Sequence, residues 1–150
     1  MTQKYDFNLL TQSPERMNVI SVKLGPNPAT KYSDADKKKA VKLQRNGIAV
    51  LCSDGDELEG FIDSVESWTV EGHSWGGAAR GNVGFRVEAQ VAAGVATPLE
   101  FNDLVVAGAQ LPVGTKGLAQ VKKGTPALHK YRVLRLNTGA AGDIVLLEKV

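Results

Sequence analysis

Turn signals set the tightest limit on what this chain can fold into. Asn46-Gly47 and Asp54-Gly55 are sequence pairs that accept the positive φ of tight turns. Gly108, Gly114, Gly124, Gly139 and Gly142 continue the punctuation towards residue 150. Only short segments remain between these points. They suit strands, and none carries the apolar stripe of a long helix.

The segments themselves alternate with period two. Phe85, Val87, Ala89 and Val91 fall on one face, while Arg86, Glu88 and Gln90 fall on the other. Val41 and Leu43 alternate with Lys42 and Gln44. Residues 48–52, 58–65, 68–70, 104–107, 117–121, 131–136 and 144–147 read as further strands. Residues 35–44 read equally well as a short helix or a strand. Many short strands with frequent turns predict a mainly β fold, a small β-barrel or β-sandwich. No exact internal repeat is visible. At 43% apolar and 23% charged residues over 150 positions, the chain has the composition of one folded domain with a core.

The first 36 residues differ from the rest. Pro14, Pro26 and Pro28 interrupt them, and GPNPAT at positions 25–30 cannot be the interior of a regular element. The expected organisation is an extended N-terminal arm over residues 1–36 and a single β-rich domain over 37–150. The arm carries Tyr5, Phe7, Leu9 and Leu10, then Val19, Ile20, Val22 and Leu24. Of these, Tyr5, Phe7, Leu9, Leu10, Ile20 and Val22 are candidate interface residues. Trp75, in a glycine-rich stretch, joins them as a candidate anchor because tryptophan is enriched at binding hot spots. Trp68 reads as core.

Charge and composition narrow the partners. Eighteen basic and sixteen acidic side chains leave a net charge of +2, too little for the field that nonspecific nucleic-acid binding uses. The Lys37-Lys38-Lys39 run reads as a solvated stretch that discourages edge-to-edge strand association. No apolar run is long enough to span a bilayer, and MTQKYDFNLL lacks the pattern of a signal peptide. Neither nucleic acid nor membrane is expected as a partner. Cys52 is the only cysteine and sits among Ala49, Val50 and Leu51, so an inert buried thiol is expected.

Catalytic and metal chemistry find little footing. Gly72-His73-Ser74-Trp75-Gly76 matches the G-x-S-x-G nucleophile elbow, and Asp103 and His129 follow in the order of a hydrolase triad. The elbow needs a helix after the serine, whereas GGAARGNVG is poor helix material. A glycine-rich surface loop is the expectation, with a small serine hydrolase using Ser74 as the alternative. Gly76 and Gly81 have phosphate-loop spacing, but Asn82 and Val83 replace its lysine and hydroxyl residue. His73 and His129 lack any paired-ligand spacing, and Asp54, Asp56 and Glu57 lack the rest of a calcium loop. No catalytic residue, metal or cofactor is expected.

Residues 33–65, SDADKKKAVKLQRNGIAVLCSDGDELEGFIDSV, resemble the opening of small capsid decoration (cement) proteins of tailed bacteriophages. The resemblance rests on Val41 and Leu43, the strand of residues 48–51, Asp54-Gly55, and Gly60-Phe61-Ile62. GNVGFRVEAQVAAG and FNDLVVAG add glycine-bounded strands of the same kind, and the likeness covers about two-thirds of the chain. It implies a non-enzymatic virion protein on the outer capsid surface, made in the host cytoplasm. Its partners would be the major capsid protein and itself, as a dimer or trimer on a capsid symmetry axis. A β-barrel binding module of some other assembly is a further alternative.

Overall fold

The computed structural model describes residues 17–150. Ten strands lie among the described residues: β1 (Met17–Leu24), β2 (Ala40–Leu43), β3 (Ile48–Leu51), β4 (Gly60–Val70) and β5 (His73–Gly81) come first. They are followed by β6 (Arg86–Val91), β7 (Leu104–Ala107), β8 (Ala119–Lys123), β9 (Tyr131–Arg135) and β10 (Ile144–Lys149). A 3-10 turn at Asp34–Asp36 is the sole helical element among the described residues. The fold is therefore mainly β, as the alternation predicts, and it is built as barrels.

Two barrels form, each from five strands. The first closes in the order β1-β3-β2-β4-β5 and the second in the order β6-β8-β7-β9-β10. In both, the first and third strands pair in parallel and every other pairing is antiparallel. The chain thus repeats one topology twice, although the sequence shows no exact repeat. Equivalent positions lie 65 or 70 residues apart. Ala49 faces Leu24 as Ala119 faces Ala89, and Phe61 faces Ala40 as Tyr131 faces Val105.

The core joins the barrels into one body. The first barrel has its own interior of Val22, Leu24, Tyr32, Val41, Ala49, Ile62 and Ala78. A larger cluster starts on β2, β4 and β5, with Ala40, Phe61 and Ala79, and continues through the whole second barrel. At the junction Phe61 meets Tyr131 edge-on at 5.6 Å, and Phe85 lies 6.2 Å from Phe61. Such ring pairs contribute roughly 0.5–1.5 kcal/mol each beyond the area they bury.

The boundary expected at residue 36 shifts. β1 pairs with β5 along its whole length, from Met17↔Gly81 to Leu24↔Ser74, so it is a wall of the first barrel. Val22 and Leu24 point into the core, while Pro26 and Pro28 only follow the end of the strand. Tyr32 is buried too. Its hydroxyl donates to the Gly25 carbonyl, and its N–H donates to Ser74 Oγ at 3.0 Å. The folded body therefore begins at least by Met17, and truncation before Tyr32 would remove a barrel strand. Tyr5, Phe7, Leu9 and Leu10 lie outside the described residues.

The Lys37-Lys38-Lys39 run is not uniformly solvated. Lys38 adopts φ 75°, which turns the chain so that Lys39 enters the interior. There it donates to Asp36 Oδ1 at 2.6 Å and to the Pro112 carbonyl at 2.9 Å.

Candidate interaction surface

The glycine-rich stretch that reads as a loop is a barrel strand. Gly76 and Gly77 allow it to be one. A Cβ on Gly76 would stand 2.2 Å from the Ser64 carbonyl oxygen, and one on Gly77 would stand 2.9 Å from both Ser64 Oγ and Val19 Cγ1. Only glycine lets β4 and β5 approach this closely. The register between them shifts at Ile62/Ser64 and again at Val65/Thr69. These bulges re-aim the far half of β4.

That half carries the most conspicuous surface feature. Trp68 on β4 and Trp75 on β5 stack with ring centroids 6.3 Å apart and planes inclined by 24°. Trp68 is half exposed and Trp75 partly so, and Val19, which opposes Ala79 on the neighbouring strand, is 47% exposed. Trp68 is thus a surface residue, contrary to the core position its sequence suggests. Trp75 is half-buried beside it, whereas Val22 lies in the barrel core and Ile20 packs against that core.

The hairpin presenting the two rings is braced. Val70 pairs with His73 across Glu71 and Gly72, whose φ values of 52° and 79° are both positive, as a tight two-residue hairpin turn requires. Lys23 on β1 forms an ion pair with Glu71 and holds that carboxyl below the usual carboxylate range. Lys31 Nζ donates to the Gly72 carbonyl at 2.8 Å. The aromatic pair therefore stands on a scaffold tied at its tip, and its placement costs little entropy on binding.

A second surface lies on the other barrel. A groove of about 710 Å³ has Arg86, Arg132 and Glu148 in its wall and exposed Val83 and Val150 at its rim. Arg132 Nη2 lies 2.7 Å from Glu148 and Arg86 Nε lies 3.0 Å from it. The Arg132 hydrogen bond, opposed by burial and aided by Arg86, holds the Glu148 carboxyl low.

The residues proposed for chemistry are scattered and occupied. Ser74 is buried within β5, and its Oγ accepts the Tyr32 N–H. Asp103 Oδ2 accepts the Glu100 N–H, while His129 lies 3.9 Å from Glu59. The motif around Ser74 runs straight into the strand and not into a strand-to-helix elbow. A fluorophosphonate probe is expected to leave the protein unlabelled. Stoichiometric labelling that disappears in Ser74→Ala would instead establish a serine hydrolase.

Asp54 pairs with Lys122 and Asp56 with Lys42, each at 2.8 Å, and Glu57 Oε1 accepts the N–H groups of Leu128 and His129. Among the described residues no cluster of histidine, cysteine and carboxylate groups could hold a metal. Burial pushes the Cys52 thiol up to about 12, as suits an inert core residue. Comparison with known proteins finds no matching family model, no similar curated protein and no similar solved structure.

Proposed function

We propose that this chain is a capsid decoration protein of a tailed bacteriophage. It binds the outer surface of the assembled shell and stabilises it by bridging major capsid protein subunits. The residues that resemble such proteins form β2, β3 and the start of β4. The observation that carries the reading is the Trp68–Trp75 stack on a braced hairpin. A half-exposed tryptophan pair is costly in water and characteristic of a buried interface anchor. The body behind it is two closed barrels sharing a core and has close to balanced charge, which suits a part that adds contact area to a shell. A symmetric lattice favours a symmetric homo-oligomer, a dimer or trimer on a symmetry axis.

Stabilisation follows from mass action, because a ligand of the assembled lattice that ignores free subunits shifts the equilibrium towards assembly. Shells assembled without the protein should break at a lower temperature, and adding it back should restore the loss. Trp68→Ala and Trp75→Ala should each weaken shell binding by about 2 kcal/mol, roughly 30-fold, with the protein's own melting temperature little changed. Titrated shells read by cosedimentation and by thermal release of DNA measure both effects. Equal heat resistance with and without the protein would refute the role, and full binding by both variants would move the contact elsewhere.

A further inference from the structure

A cleft of about 550 Å³ opens where the two barrels meet. One wall comes from the start of β1 and the end of β5, the other from the start of β9 and the end of β10. Arg80 near the end of β5 and Lys149 at the end of β10 both line it. Lys149 Nζ lies 5.3 Å from the centroid of the Tyr131 ring. Burial holds this ammonium below the ordinary lysine range; Glu57 opposes the shift and Arg80 adds to it. Two cations therefore converge on one cleft. Their repulsion costs energy, and an anion between them relieves it.

We propose that this cleft binds a phosphate group, held by the Arg80 guanidinium and the Lys149 ammonium with the Tyr131 hydroxyl as a third donor. Tyr131 is 1% exposed and its ring belongs to the core, yet it also forms part of the cleft wall. Burial keeps its phenol protonated far above neutral pH, and the Gly81 N–H donates to its oxygen. The O–H proton is then available to a ligand. Glycine is required at position 81 for this contact. A Cβ there would stand 2.7 Å from the Tyr131 hydroxyl oxygen and 2.4 Å from Phe85 Cδ2.

The nearby carboxylates are engaged by the protein. Glu59 lines the cleft, but its Oε2 accepts the Leu43 N–H at 2.6 Å and its Oε1 lies 3.9 Å from His129 Nε2. Glu57 Oε1 accepts the N–H groups of Leu128 and His129 at 2.7 Å each. Guanidinium, ammonium and phenol are all donors and approach from different elements. Such a set suits a tetrahedral oxyanion with several acceptor oxygens better than a flat monocarboxylate. The double charge of phosphate also matches two cations. Arg80 belongs to the first barrel and Tyr131 and Lys149 to the second, so a bound phosphate ties the barrels together. This site is independent of the capsid role.

Titration calorimetry on the full chain with inorganic phosphate, at constant ionic strength, should find a single site per chain. Phosphate at about 10 mM should raise the melting temperature by at least about 4 °C over chloride of equal ionic strength. Arg80→Gln, and Lys149→Met, which keeps the stem over Tyr131, should each weaken binding at least about tenfold. Tyr131→Phe keeps the ring in the core and should weaken binding by about the same factor. Arg45→Gln, in the β2–β3 turn outside the cleft, should bind like the wild type. Ribose 5-phosphate forms the second arm. Tighter binding than inorganic phosphate would identify a phosphomonoester as the natural source, and weaker binding would identify free phosphate. A melting temperature that neither ligand moves would overturn the proposal. So would a Lys149→Met variant that binds phosphate as tightly as the wild type.

Discussion

Lys39→Met should lower folding stability by about 3–5 kcal/mol, the range for stripping one partner from a buried ion pair. Lys39 and Asp36 are both 0% exposed, and Lys39 Nζ lies 2.6 Å from Asp36 Oδ1. The same carboxylate accepts the Ser33 N–H at 2.9 Å and the Gly114 N–H at 2.8 Å. Lys39 also donates to the Pro112 carbonyl. The pair thus pins the β7–β8 connection of the second barrel to the entrance of the first. Methionine keeps most of the volume and removes the charge and the donors. It strands a buried carboxylate, which no repacking of apolar groups relieves.

For a chain of this length each kcal/mol moves the melting temperature by about 2–4 °C, so a fall of roughly 6–20 °C is expected. Urea unfolding should show the loss in the midpoint with an unchanged slope. A loss under about 1 kcal/mol would mean that water reaches the pair.

Asp143→Ala should cost about 3 kcal/mol at neutral pH, and most of that difference should vanish in acid. Asp143 is buried in the turn before β10. Its Oδ2 accepts the N–H groups of Asn137 and Thr138 at 3.0 Å and of Gly139 at 2.9 Å. Burial by itself would raise its carboxyl. The donors of Gly139, Asn137 and Thr138 outweigh burial and hold it below the usual carboxylate range. Alanine leaves these N–H groups without their acceptor, at a cost typical of hydrogen bonds to a charged group.

The neighbouring backbone cannot adjust freely. Gly139 has φ 71°, and a Cβ there would stand 2.0 Å from the Leu99 carbonyl oxygen. The pH dependence has a definite sign. A carboxyl whose folded pKa lies below its unfolded value of about 3.9 contributes fully above that value and loses its contribution as pH falls through the folded pKa. The gap between wild type and variant should therefore shrink below about pH 4. Urea titrations at pH 7 and at pH 3 measure it, and an equal gap at both would show that the charge is not what holds the turn.

Local alternation carried much of the fold in the sequence. The Leu104–Ala107 strand has the bounds its apolar run suggests, and β6 follows the alternation of Val87, Ala89 and Val91. Asn46-Gly47 turns the chain between β2 and β3 as its dipeptide requires. These features depend on neighbours within a few residues, so one segment suffices to read them.

Closure of the barrels was decided elsewhere. β5 reads as a loop until Ser64 and Val19 are seen across from Gly76 and Gly77, because a glycine's reason is the space it leaves for another strand. β1 reads as an arm until β5 stands beside it. Trp68 reads as core until the bulges in β4 break the alternation that would have turned it inward. Lys39 reads as solvated until Asp36 and Pro112 enclose it, the latter 73 positions away. The repeated topology is likewise absent from the residues themselves, since two barrels can share a strand order while filling it with different side chains. Sequence determined most of the segments that become strands, β1 and β5 excepted, because alternation is a local property. Tertiary structure decided which strands meet, which charge is buried and which tryptophan faces out, because each depends on atoms contributed from distant parts of the chain.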